Sequence, residues 1–265
     1  MKYTIINGSP HKGNTWRLVE IIQAEILRLS PGSVFEEIHL KDLELPYCTG
    51  CSICFRKGHK LCPHNCIMQS MMDKIEQSDG VIFAFSTFNM QPPALAKNFI
   101  DHMCFMLHRP HFFRNKALVV STTGGVGAKD AVDYVAGTLS GIGFNRCYKL
   151  PVLSCSWNAY KPKEKTVAKC KRVTARFHRD VASKKLHSPS FGILLVYNLF
   201  RGMSRGYAQG TEYETEDGVY WTDKIRVNST YDPSVKVPAF KRVFGSVFFS
   251  IGVLASNFVT ITYKK

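Results

Sequence analysis

Along the first 160 residues, short apolar runs alternate with segments of helical period. The runs Tyr3 to Asn7, Val34 to Leu40, Val81 to Phe85, Ala117 to Thr122 and Cys147 to Leu153 are rich in β-branched and aromatic residues and predict five strands. After the first, Leu18, Ile22, Ile26 and Leu29 recur at helical spacing and predict one buried stripe, with Arg17, Glu20 and Arg28 left to solvent. Met68 to Ile75, Ala94 to Met106 and Ala128 to Leu139 repeat the pattern, and Ser140-Gly141-Ile142-Gly143 closes the last of them. Strands joined by crossovers of this length predict an α/β, doubly wound parallel sheet covered on both faces. Ligands in such sheets sit beyond the carboxyl ends of the strands.

After the fifth strand the pattern changes. Lys161 to Lys185 is a basic helical stretch whose Val167, Val173, Phe177 and Val181 predict an apolar stripe, and Ser188-Pro189-Ser190 interrupts it. A boundary is expected there, dividing residues 1–187 from a mostly helical extension, 188–265. The extension holds an apolar stretch, Phe191 to Phe200, a polar segment with Tyr213, Tyr220 and Trp221, and 21 uncharged residues from Val243 to Tyr263. That last length matches a bilayer-crossing helix. Gly245, Ser246, Ser250, Gly252, Ser256, Asn257, Thr260 and Thr262 dilute it, however, and Phe258 to Tyr263 alternates like a strand. Three readings stay open: a helix packed on the rest of the chain or on a second copy, an interfacial helix with Phe244, Val247, Phe248, Ile251 and Leu254 immersed, or a span.

Composition excludes two classes. With 265 residues and 45% of them apolar, the chain can bury a large core, so neither disorder nor a disulfide-stapled miniprotein is expected. The net charge of +15 implies an anionic partner. Its location matters more: residues 1–158 hold 16 Lys and Arg against 12 Asp and Glu, whereas 159–265 hold 19 against 8. Nucleic acid is not expected as a partner, because no recognition motif accompanies the charge. No basic and apolar leader precedes Tyr3, so a cytoplasmic, reducing context is expected, with possible membrane association through the extension. Nine cysteines in that context suggest free thiols or metal ligands.

The loop after the first strand carries the sharpest chemistry. Asn7-Gly8-Ser9-Pro10-His11-Lys12-Gly13-Asn14-Thr15 leads from strand to helix through small and hydroxyl residues. A phosphate there meets unsatisfied N–H donors and the positive end of the helix, with Ser9, Asn14 and Thr15 adding side-chain donors. The alternative is an ordinary turn with Asn14 or Thr15 as N-cap. Gly8 and Gly13 have P-loop spacing, but Asn14-Thr15 stands where a P-loop needs Lys-Ser/Thr, which argues against nucleotide hydrolysis.

At this point the sequence resembles the flavodoxin-like NAD(P)H-dependent FMN reductases, in their iron-sulfur flavoprotein-like branch, over about residues 1–185. Gly8-Ser9-Pro10 with Gly13-Asn14-Thr15 is similar to that family's FMN phosphate loop. Ser86-Thr87-Phe88-Asn89-Met90 before Leu95-Ala96-Lys97-Asn98-Phe99-Ile100-Asp101 resembles its second flavin loop and helix. Ser121-Thr122-Thr123-Gly124-Gly125-Val126-Gly127 resembles the third. The chain departs from the family where Phe85-Ser86-Thr87-Phe88 replaces a Pro-Val-Tyr turn, where Pro92-Pro93 precedes the helix, and where His102 replaces an arginine. The resemblance implies strand order 2-1-3-4-5, FMN as cofactor and NAD(P)H as co-substrate. It assigns FMN contacts to Ser9, His11, Gly13, Asn14, Thr15, Ser86, Thr87, Phe88, Asn89, Met90, Thr122, Thr123, Gly124 and Gly125. Glycines in the third loop would let backbone N–H groups approach the flavin edge.

Cys48, Cys51, Cys54 and Cys62, with Cys66 four residues on, are dense enough for a metal centre. A [4Fe-4S] cluster on the first four, which resembles the compact motif of iron-sulfur flavoproteins, competes with a zinc site and with free or redox-active thiols. His59 and His64 are further candidate ligands, and Cys104, Cys147, Cys155 and Cys170 read as scattered buried thiols. The catalytic residues are not assigned. The expected function is an FMN-dependent oxidoreductase that takes hydride from NAD(P)H and passes electrons to a small-molecule, quinone or iron-sulfur acceptor. The alternative is an electron carrier reduced by a redox-protein partner; a homo-oligomer is expected in either case.

Overall fold

In a computed structural model, which describes residues 1–258, the elements run in the following order. β1 (Lys2–Asn7), α1 (Asn14–Leu29), β2 (Val34–His39), α2 (Ile53–Arg56), α3 (Asn65–Glu76) and β3 (Gly80–Ser86) lead into α4 (Ala94–His102) and α5 (Phe105–His108). β4 (Lys116–Thr123), α6 (Ala128–Gly141), β5 (Arg146–Leu153) and α7 (Glu164–Ala182) complete the sheet and its cover. α8 (Phe191–Met203), α9 (Glu216–Thr222) and α10 (Ala239–Ala255) form the C-terminal helical extension. All strand pairs are parallel and the order is β2-β1-β3-β4-β5, a flavodoxin-like sheet.

Alternation along the central strands sorts the core into two layers, because successive side chains point to opposite faces. Ile6, Val81, Phe83, Phe85, Ala117 and Val119 face α3, α4 and α6, while Tyr3, Ile5, Ile82, Ala84, Leu118 and Val120 face α1 and α7. Each of the large side chains contributes about 1.5–3 kcal/mol on burial. The first helix buries Leu18, Ile22 and Ile26 as the spacing predicts, but Leu29 is exposed in the last turn, where α1 runs past the sheet. The stripe of α7 likewise shifts, to Cys170, Thr174, Phe177, His178 and Val181.

The segment expected as one helix from Ala94 to Met106 is broken. Its last turn tightens, with Met103 N–H donating to the Ile100 carbonyl and Cys104 N–H to that of Asp101, before α5 restarts the helix at Phe105.

Beyond α7, Ser190 caps α8 by accepting from the Ile193 N–H. α8 and α10 then pack closely through glycines. A Cβ on Gly202 would lie 2.4 Å from the Phe249 carbonyl oxygen, and one on Gly252 would lie 2.5 Å from that of Leu199. Tyr220 and Trp221, read as part of a polar segment, instead lie within or against the extension's own core of Phe113, Leu194, Tyr197, Trp221, Tyr231 and Val235. Phe113 belongs to the α5–β4 connection, so the extension packs against the sheet's own loops. Among the described residues no helix is long and apolar enough to cross a membrane. The strand-like alternation Phe258 to Tyr263 lies beyond the described residues, except for Phe258, which sits in the 3-10 turn Ser256–Phe258.

One buried ion pair ties β4 to α7. Lys116, 2% exposed, donates to Asp180 Oδ1 at 3.0 Å, and the same carboxylate accepts from Tyr148 and pairs with His187. Burial pushes the Asp180 pKa up, but His187, Lys116 and Tyr148 outweigh it and hold the carboxyl below its ordinary range. Asp180→Ala strands the ammonium and is expected to lower stability by about 3–5 kcal/mol in urea denaturation. Because the folded pKa is depressed, the stabilisation is complete above the unfolded value of about 3.9 and is lost as pH falls through the folded one. The variant's stability should therefore fall less steeply with acid than that of the wild type.

Candidate functional site

The carboxyl ends of β1, β3 and β4 meet in one place, because the register aligns Asn7 with Ala84 and Ser86 with Thr122. Three pairs of hydroxyls cross-link them. Ser9 Oγ lies 2.8 Å from Ser86 Oγ and also accepts from the Ser86 N–H; Thr15 Oγ1 lies 2.6 Å from Thr122 Oγ1; Thr87 Oγ1 lies 2.8 Å from Ser121 Oγ. Gly8 is required here, since a Cβ would come within 2.7 Å of the Ala96 methyl on α4.

The helix N-terminus opens among these loops. Gly13 is the N-cap of α1 and no side chain caps it, so neither Asn14 nor Thr15 serves as N-cap. Asn14 instead donates to the carbonyls of Ser156 and Trp157 and accepts from the Tyr160 N–H, fixing the loop after β5. Thr15 is buried and also donates to the Phe85 carbonyl. The side chains of both residues are therefore committed to protein partners, and the donors left facing outward are those of the backbone. His11 is exposed beside Gly13.

The second loop is a tight two-residue turn. Phe88 and Gln91 exchange backbone hydrogen bonds around Asn89 and Met90, both at positive φ of 47° and 65°. Phe88 and Met90 project outward, about half exposed. The third loop touches the second: Gly127, at φ +88°, lies so close to Met90 that a Cβ would come within 2.6 Å of its Cα. Thr123 orders the third loop by donating to the Val126 carbonyl, and Gly124 and Gly125 are exposed. All fourteen residues expected from the sequence thus lie on three adjoining loops or on the strand and helix ends that border them. One further side chain borders the same surface: Trp157, 96% exposed, with its ring 3.8 Å from where a Gly124 Cβ would stand. Its signal was an isolated tryptophan in the polar run Ser154-Cys155-Ser156-Trp157-Asn158. A cavity of about 420 Å³, lined in part by Asp79, Arg114, Lys116 and Lys184, lies at the amino ends of β3 and β4 and shares no residue with these loops.

The cysteine loop lies next to this surface and is held from α4. Asn98 accepts from the Cys48 N–H and donates to the carbonyls of Leu45 and Pro46. His102, whose Nδ1 meets the Asn98 carbonyl, bonds through Nε2 to His64 Nδ1 at 2.8 Å. Cys48, Cys51, Cys54 and Cys62 all line one largely apolar cavity with Met68, Met72 and Phe105, while Cys66 is exposed outside it. Cys104, read from sequence as an unrelated buried thiol, lines the same cavity and hydrogen bonds with Cys54. That bond and burial raise the Cys54 pKa, and the same bond lowers that of Cys104. Cys155 is also exposed rather than buried, on a residue at φ +48°. Five soft donors around an apolar void suit an iron-sulfur centre in kind. Among the described residues, no three His, Cys, Asp or Glu side chains stand close enough together to hold a metal ion.

The far wall of the cysteine loop comes from the extension. Arg109, after α5, donates to the Cys54 carbonyl and to Asp217 on α9, and Asp217 also pairs with His108 at 2.8 Å. His59 stacks flat on Phe105 at 4.9 Å, and its pKa is lowered by burial and by Arg109.

Residues 1–146 match the model of the NADPH-dependent FMN reductase family. The chain is 29% identical over 186 residues to an iron-sulfur flavoprotein of Clostridioides difficile (strain 630), covering 70% of this chain and 81% of that one. It is 32% identical over 126 residues to an iron-sulfur flavoprotein of Archaeoglobus fulgidus, covering 48% and 60%. Among solved structures, an FMN-dependent NADH-azoreductase from Bacillus anthracis str. Ames Ancestor in complex with FMN has a TM-score of 0.50 at 14% identity, covering 67% of this chain and all of its own, a likeness of fold alone.

Asn98→Leu removes three bonds to the cysteine loop while keeping the volume of the side chain. It is expected to cost about 1–3 kcal/mol and to speed hydrogen exchange and proteolysis within residues 45–62, with exchange in β1 and β4 unchanged.

Proposed function

The chain belongs to the NADPH-dependent FMN reductase family, and on that premise we propose that it is an FMN-dependent oxidoreductase that takes hydride from NAD(P)H and passes electrons to a small-molecule, quinone or iron-sulfur acceptor. The observation that carries this reading is the hydroxyl-linked surface formed by three loops around the uncapped N-terminus of α1. Backbone N–H groups of His11, Lys12, Asn14 and Thr15 would hold the FMN phosphate, helped by the helix dipole, since Pro10 has none and those of Ser9 and Gly13 bond Asn7 Oδ1 and the His11 carbonyl. Ser9, Asn14 and Thr15 would act by holding the loop in shape. Phe88, Met90 and Trp157 would flank the ring system, and the exposed backbone of Gly124 and Gly125 would reach its polar edge. Bound FMN supplies the step from a two-electron donor to one- or two-electron acceptors.

The cysteine loop extends the reading. Cys48, Cys51, Cys54 and Cys62, drawn closer together than they stand, would hold an iron-sulfur cluster; their shared cavity and the names of the relatives support this reading. Asn98 joins that loop to the helix after the second flavin loop, which would place the two redox groups on one rigid support. Residues 1–187 would carry the redox chemistry and residues 188–265 would back the cysteine loop.

Anaerobically purified full-length chain should contain one FMN and oxidise NADPH or NADH; a fully flavinated sample that oxidises neither overturns the proposal. Trp157→Ala should weaken FMN binding by about 2- to 10-fold, the worth of one aromatic contact of about 0.5–1.5 kcal/mol, as read by flavin fluorescence titration. Iron and acid-labile sulfide should each be on the order of four per chain, and Cys48→Ser/Cys51→Ser should lose them while retaining FMN. Stoichiometric zinc, or metal-free thiols, would remove the cluster from the reading and leave the flavin chemistry standing.

A further inference from the structure

The outer face of α10 is apolar and open. Phe240, Val243, Phe244, Val247, Ile251 and Leu254 are each 47–65% exposed, and Phe258 just beyond is 89% exposed. At a helical step of about 100° per residue these seven positions fall within an arc of about 100°. The opposite face is the one committed to α8, where Gly245 and Gly252 are buried. Phe191 on α8 continues the open stripe, its ring 5.2 Å from that of Phe244. Both broad faces of α10 are apolar, with Arg242, Ser246 and Ser250 along one flank, and here one of those faces is covered by protein while the other meets solvent. Contiguous apolar surface of this kind on a folded chain marks a binding face.

Charge selects the occupant. From Lys236 to Lys265 there are five Lys and Arg and no Asp or Glu. Lys236 and Arg242 are exposed at the start of the helix, while Lys241 is held at its rim by the Pro189 carbonyl. A second copy of this face brings no acidic group to meet these cations, whereas an anionic surface complements them. The helix is 17 residues long, and no described helix can cross a bilayer, so the apolar stripe is suited to lying in the membrane plane. The glycine-packed contact with α8 holds it rigidly on the outside of the fold.

We propose that α10, with Phe191, is an interfacial anchor that docks the chain on anionic phospholipid, with the Phe240-to-Phe258 stripe immersed and Lys236, Lys241 and Arg242 at headgroup level. This docking is independent of the flavin chemistry.

The test is co-sedimentation of the full chain with vesicles of phosphatidylglycerol and phosphatidylcholine in equal parts, against phosphatidylcholine alone, with sedimentation velocity in the absence of lipid. Binding at least about tenfold tighter to the anionic vesicles, weakening as salt rises, is expected. Val243→Asp/Val247→Asp should lose at least about tenfold in binding with unchanged circular dichroism. Lys236→Glu/Arg242→Glu, at exposed positions, should lose the preference for anionic lipid and serves where the first variant misfolds. Equal binding to both vesicles, or full binding by both variants, overturns the proposal. So does a lipid-indifferent dimer that Val243→Asp/Val247→Asp converts to monomer, which would assign the face to a second copy. Lipid binding lost on truncation behind Phe258 would assign it to the last seven residues and likewise overturns it.

Discussion

Everything at the proposed redox surface depends on hydroxyl pairs that bind the ends of β1, β3 and β4 to one another. A parallel sheet leaves its last backbone groups unpaired at the carboxyl edge, and the loops that leave it have no reason to stay together. Ser9 with Ser86, Thr15 with Thr122 and Thr87 with Ser121 supply that reason. Each bond is worth only about 1 kcal/mol net, but a buried hydroxyl that loses its partner costs more than the bond itself, so the three loops hold as a unit. The consequence is a division of labour. Asn14 and Thr15 spend their side chains on internal contacts, and the anion-binding capacity passes to the backbone.

The same economy of contacts ties the cysteine loop into the fold. This segment has little regular structure and draws its shape from neighbours: Asn98 and His102 on one side, Arg109 on the other. Arg109 is buried and is satisfied by Asp217, more than a hundred residues further along the chain. A buried guanidinium without that carboxylate would be strongly unfavourable. The helical extension is therefore a structural part of the cysteine site, although the family match ends at residue 146, well short of it.

The charge of the molecule follows the same partition. The sheet and its loops are nearly balanced, and helix dipole and backbone donors are enough to meet a phosphate there. Most of the surplus lies after residue 158. Part of it lines α7, whose exposed side carries Lys165, Lys171, Arg172 and Arg176, and part borders the open stripe of α10. The proposed redox surface and the proposed docking face thus lie on physically separate parts of one chain.

Much of this was legible from residue order alone. Strand positions, strand order and the three loops follow from local periodicity, from glycine and hydroxyl placement, and from the resemblance those motifs carry, because alternating apolar runs joined by crossovers admit few arrangements. Leu29 shows the limit of periodicity: it continues the apolar stripe but stands past the edge of the sheet it would cover. The break at Met103, the placing of Cys104 beside Cys54, the role of Asn98, the nearness of Trp157 to Gly124 and the Arg109 to Asp217 pair joined residues whose sequence separation gives no hint of contact. The uncharged run after Arg242 was equally compatible with core, interface or span, since composition sets how strongly a helix avoids water and not which of its faces is already covered. Local pattern determined which elements form and which way their apolar faces point; only packing decided which distant side chains meet, because that depends on where each element ends and what space its neighbours leave.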